Sequence, residues 1–139
     1  MTEELLLCEF HDAEIATLQF VFPKSLVITF SQLNCYYESE EPGITDIWIT
    51  QATLSFSDID HLRLSLPGRE SLWVSHEEFE FKDPEVRDNT NRLLLEGQEC
   101  RRAKIVFLVG EEICVEGGRV RLEITSRVRL LDKVDWSNE

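Results

Sequence analysis

The chain reads as a mainly β protein, an antiparallel β-sandwich or barrel of about eight strands with at most one or two short helices. Three observations predict this. Apolar and polar residues alternate with period two along most of the 139 residues, the pattern of strands buried on one face. Turn-forming pairs (Pro42-Gly43, Pro67-Gly68, Gly117-Gly118) punctuate the alternating runs. Strands do not alternate with helices, so a parallel, doubly wound sheet is disfavoured.

Taken in order, residues 2–9 are too brief a pattern to separate a short helix from an edge segment. Phe10-His11-Asp12-Ala13 reads as a turn into a first strand, which carries Ala16, Leu18, Phe20 and Phe22 on one face. Pro23-Lys24-Ser25 reverses the chain. The apolar row then continues through Leu26, Ile28, Phe30, Leu33, Cys35 and Tyr37, closing a hairpin. Glu38-Ser39-Glu40-Glu41-Pro42-Gly43 combines a charge run with a Pro-Gly pair and reads as a loop. A strand from Thr45 to Phe56 follows, rich in Ile, Trp, Thr and Phe. After a turn at 57–60, Leu62, Leu64 and Leu66 alternate with His61, Arg63 and Ser65. Leu72 and Val74, then Phe79 and Phe81, mark further strand. Asp83-Pro84-Glu85 has the chemistry of a helix start and Gly97 that of a stop, although Asn89-Thr90-Asn91 suits a loop equally well.

The stretch from Ala103 to Leu131 carries the strongest pattern. Ala103, Ile105, Phe107, Val109, Ile113 and Val115 are odd-numbered and apolar, while Val120, Leu122, Ile124, Val128 and Leu130 are even-numbered and apolar. Gly117-Gly118 between them predicts a hairpin turn, with Val115 facing Val120, Ile113 facing Leu122, Phe107 facing Val128 and Ile105 facing Leu130. Gly110 is expected to bend the first arm. Asp132 to Glu139 reads as a polar tail, with Trp136 folding back on the body.

The whole chain, 1–139, is expected to form a single domain. Its formal net charge is −13, from 27 acidic and 14 basic residues. A surface this negative repels phosphate backbones, so no nucleic-acid partner is expected; basic proteins are favoured instead. Eight of the basic residues lie between 101 and 133, and a basic outer face is expected there. No run approaches the roughly 20 apolar residues of a membrane helix, and Met1-Thr2-Glu3-Glu4 is unlike a secretory leader. A cytoplasmic protein with no membrane partner is the expectation. Cys8, Cys35, Cys100 and Cys114 show no Cys-x-x-Cys spacing and read as free thiols.

Candidate chemistry concentrates at Glu9, His11, Asp12 and Glu14, a histidine among carboxylates. On an extended segment Asp12 and Glu14 share one face and His11 takes the other, so convergence on an ion needs a tight turn. Asp12 capping a turn and His11 bonding across the sheet is the plainer arrangement. Trp48, Tyr36 and Tyr37 flank the acidic residues Glu38, Glu40 and Glu41, a combination suited to a protein-binding surface. No Gly-rich phosphate loop, Gly-x-Ser-x-Gly elbow or His-Glu-x-x-His helix occurs.

Phe10-His11-Asp12-Ala13-Glu14 leading into alternating strands resembles a family of small bacterial β proteins, the immunity proteins of polymorphic toxin systems. Leu7-Cys8-Glu9 replaces the Trp-Pro-Ser approach of that family. The resemblance implies a cytoplasmic protein that binds and neutralises a toxin domain without catalysis of its own.

The sequence therefore suggests a non-enzymatic intracellular binding protein, with no cofactor and no metal, whose partner is a protein such as a basic toxin domain. The candidate contact residues are His11, Asp12, Glu14, Glu38, Glu40, Glu41 and Trp48. One alternative is a small-molecule- or metal-binding β-barrel, or an enzyme of that architecture, using His11, Asp12 and Glu14. Another is a structural homo-oligomer pairing through strand edges.

Overall fold

A computed structural model describes residues 4–66, 72–83 and 91–136. It is mainly β, with eight antiparallel strands: β1 (Leu5–Val21), β2 (Ser25–Glu38), β3 (Ile44–Ser57), β4 (His61–Leu64), β5 (Leu72–Phe81), β6 (Gln98–Phe107), β7 (Glu112–Glu116) and β8 (Arg119–Asp135). A 3-10 helix at Asn91–Glu96 precedes β6. The Pro67-Gly68 turn and residues 84–90 of the candidate helix lie outside the described residues. Gly97, with φ of 83°, ends the helical turn by donating its N–H to the Leu94 carbonyl.

The strand order is β4-β7-β6-β5-β1-β2-β3-β8, and a further β6–β8 pairing closes six of the strands into a ring. β7 and β4 extend outward from β6. The core fills the ring. Phe10 of β1 packs edge-on against Phe30 of β2 and Phe79 of β5, with centroids 5.6 and 5.8 Å away. Leu94, from the helical turn, is fully buried among the strands. The buried row Leu26, Ile28, Phe30, Leu33, Cys35 and Tyr37 matches the sequence pattern residue for residue.

The expected hairpin about Gly117-Gly118 is not what forms. The turn between β6 and β7 falls instead at 108–110, where Gly110 takes φ of 91° and donates to the Phe107 carbonyl. Ile105 therefore faces Ile113, and Ala103 faces Val115. The diglycine lies inside a run that keeps β6 as its neighbour throughout. Arg102 pairs with Glu116, Gly117 donates to the Arg101 carbonyl, Cys100 donates to the Gly118 carbonyl, and Glu99 and Gln98 pair with Arg119 and Val120. Beyond Val120 the chain leaves β6 and follows β3. Glycine within a strand marks a sharp bend or a close backbone approach, and here it marks both.

Strand β8 also departs from simple alternation. Its register with β3 shifts three times, leaving Thr125, Val128 and Leu131 with no β3 residue directly opposite, although the Thr125 hydroxyl donates to the Gln51 carbonyl at 3.0 Å. These bulges turn Arg127, Leu130 and Lys133 to face Thr50, Trp48 and Asp46. Val128 and Leu130, expected in the core, are exposed. Residues 132–135, expected in a tail, belong to the strand, and Trp136 folds back to donate its indole N–H to Thr45 Oγ1 at 2.8 Å.

Candidate functional site

Phe10-His11-Asp12-Ala13 is a wide bulge within β1, and residues 5–9 before it are already strand. Glu9 pairs with Asn34 and Glu14 with Gln32, so four residues of β1 span the interval that β2 crosses with Leu33 alone. The extra length switches the inward face from Cys8 and Phe10 to Ala13 and Ile15, all buried. Asp12 absorbs the detour at φ of 66°, a conformation Asp tolerates better than most residues. Among the described residues, the pairing of β1 with β5 ends at Ile15 opposite Leu72. Ala16, Phe20 and Phe22, read as an apolar core face, are exposed, Phe22 at 85%.

The bulge presents His11 and Asp12 to solvent, with side chains 58% and 63% exposed. His11 Nδ1 lies 2.6 Å from the Ser75 carbonyl of β5, and His11 Nε2 lies 3.3 Å from Asp12 Oδ2. Bonding across the sheet is what the sequence suggested for this histidine. The Ser75 carbonyl and then the charge of Asp12, helped to a lesser extent by Glu9 and Glu77, hold the His11 pKa above its ordinary value against the opposing effect of desolvation. Glu14 goes elsewhere: its Oε1 accepts from Ser31 Oγ at 2.7 Å. The structure thus joins His11 to Asp12 and separates Glu14 from them. Among the described residues, no three His, Cys, Asp or Glu side chains gather as metal ligands would.

On the same strand Glu9 accepts a 2.5 Å hydrogen bond from the Tyr36 hydroxyl, which pushes the phenol up to about 12. Glu38, Glu40 and Glu41 are exposed at the β2–β3 turn, where Ser39 donates to the Ile44 carbonyl. Trp48 is half-buried rather than displayed. Its ring lies 5.5 Å from the Arg127 guanidinium, which sits 3.8 Å over Tyr37, and among the described residues its indole N–H has no acceptor. Arg127, itself exposed, thus covers the buried Tyr37 from the outer side. Lys104, half-buried, forms an ion pair with Glu112 at 3.7 Å.

A second feature was missed in the sequence. A cleft of about 880 Å³ opens beside the diglycine, where the carboxylates of Asp58, Asp60, Glu99 and Glu116 stand near Lys82, Arg101 and Arg119. Lys82 and Glu99 form an ion pair at 3.5 Å. Charged walls suit a polar protein surface better than an apolar small molecule. The Asp-Ile-Asp sequence at the 57–60 turn was its visible trace, but its proximity to Gly117 depends on the bend.

No family model matches the chain, nor does any curated protein or solved structure.

Proposed function

We propose that this chain is a non-enzymatic binding protein that engages a basic protein partner, with the His11–Asp12 bulge as its anchor. The observation that carries this reading is the bulge itself. Backbone held at positive φ is costly, of order 1–3 kcal/mol, and such strain clusters at functional sites. Here it displays a histidine and a carboxylate outward, and the Ser75 carbonyl fixes the ring. Anchors held rigidly in the free protein lose little entropy on binding. Glu9 and Glu77 add negative potential beside the bulge, and Glu38, Glu40 and Glu41 add it at the β2–β3 turn. With a net charge of −13, attraction of a basic partner is long-ranged and salt-sensitive.

The Phe-His-Asp-Ala-Glu resemblance makes a toxin domain the partner class of choice, with the chain acting in the cytoplasm as an immunity-type protein. Co-expression with candidate basic toxin domains from neighbouring reading frames tests this. Growth rescue together with a stable complex is expected; failure to bind or protect against any of them overturns the toxin assignment.

A further inference from the structure

We propose that Cys8 and Cys35 are a redox modification site, closing under peroxide into a reversible disulfide that staples the amino-terminal half of β1 to β2. The two residues are direct cross-strand partners, and their sulfurs stand 3.5 Å apart in the core. Directly opposed residues of antiparallel strands have Cα atoms roughly 4.5–5.5 Å apart, within the span a disulfide bridges. Closing to a bond of about 2.05 Å needs only a small side-chain movement. Cys100 and Cys114 lack such an arrangement: they pair with Phe81 and Lys104.

The surroundings favour reaction at Cys35. Its thiol pKa is lowered by its hydrogen bond with Cys8, then by Thr50 and the positive charge of Arg127, although burial opposes this, while Cys8 is held well up. Access comes from the strand itself. Both side chains are buried, and residues 5–9 form a short segment of β1 set off from the rest of the strand by the bulge at 10–13. Local opening of such a segment needs less free energy than global unfolding and exposes Cys8 and Cys35 together.

The chemistry balances with hydrogen peroxide as oxidant. The Cys35 thiolate displaces hydroxide from the peroxide and becomes a sulfenic acid. The Cys8 sulfur attacks that sulfur, releasing water. Two thiols and one peroxide give one disulfide and two waters, with two electrons passing from sulfur to oxygen. A thiol reductant reverses the bond through a mixed disulfide.

The test treats the intact chain with hydrogen peroxide, then alkylates it in denaturant and maps its peptides. Two of the four thiols should become unreactive, the Cys8 and Cys35 peptides should be linked, and the Tm should rise and fall back on reduction. Cys8→Ala and Cys35→Ala should each abolish the link, with circular dichroism and the Tm of the reduced forms confirming that they fold. Four alkylatable thiols after treatment, a link involving Cys100 or Cys114, or over-oxidation of Cys35 without a link would overturn the proposal.

Discussion

A Cβ placed on Gly118 would overlap the Ser57 carbonyl oxygen and lie 2.9 Å from that of Asp58, so the bend between β7 and β8 is pressed directly onto the β3–β4 turn. Neither obstacle is a movable side chain. Gly117 meets a softer neighbour, the Asp60 carboxylate, and Gly110 meets nothing within 4 Å. All three have positive φ.

These three glycines should therefore rank in their response to alanine. Gly110→Ala carries the backbone cost alone, about 1–2 kcal/mol. Gly117→Ala should cost more, because Asp60 must swing away. Gly118→Ala should cost most, about 3 kcal/mol or more, since two backbone segments must part. Urea denaturation of the three variants measures the order; equal losses would contradict the bend.

Phe10 ties three strands together as a fully buried ring between Phe30 and Phe79. Phe10→Ala should lower stability by about 3–5 kcal/mol, while Phe22→Ala, at an 85% exposed position, should stay within about 0.5 kcal/mol. Comparable losses would mean that β1 is placed wrongly.

His11 should titrate above the ordinary histidine range near 6.5. A raised folded-state pKa means that any stabilisation from its protonated form is fully present below about 6.5 and fades as pH rises through the folded value. NMR of the imidazole across pH checks this. Asp12→Asn should lower the midpoint without restoring the ordinary value, because the Ser75 carbonyl is the larger cause. A midpoint at or below the ordinary value would contradict the His11–Ser75 bond.

Tyr36 should ionise at about 12, where its hydrogen bond to Glu9 opposes a second negative charge. Glu9→Gln should return most of the shift toward the ordinary value near 10, read from phenolate absorbance. An unchanged titration in the variant would break the assignment of Glu9 as the main cause.

Alternation made the β class, the β1–β2 hairpin and nearly all of β2 and β3 legible, because each inward residue there meets a covered face. Where the chain bends or bulges, the same rule misleads. Odd-numbered apolar residues before the diglycine and even-numbered ones after it fit a hairpin, but they fit a kinked strand equally well. Only contacts from Ser57, Asp58 and Asp60, distant in sequence, select the second. Thr125, Val128 and Leu131 carry no local signal that they will bulge. The histidine and aspartate of the candidate site were visible as residue types. Glu14 turning to Ser31 and His11 reaching Ser75 depend on strand register, which a single sequence does not display.

The binding role is tested most directly by affinity capture from the source cell with the wild-type chain and a His11→Ala/Asp12→Ala double variant. The wild type should retain a basic protein at about 0.1 M salt and release it near 1 M, where screening extends to within about 3 Å. The double variant, folded by circular dichroism, should bind that protein at least about tenfold more weakly, a loss of about 1.4 kcal/mol. Retention of the same protein with undiminished affinity by the variant would contradict the bulge as anchor, and the capture of no basic partner would contradict the role itself.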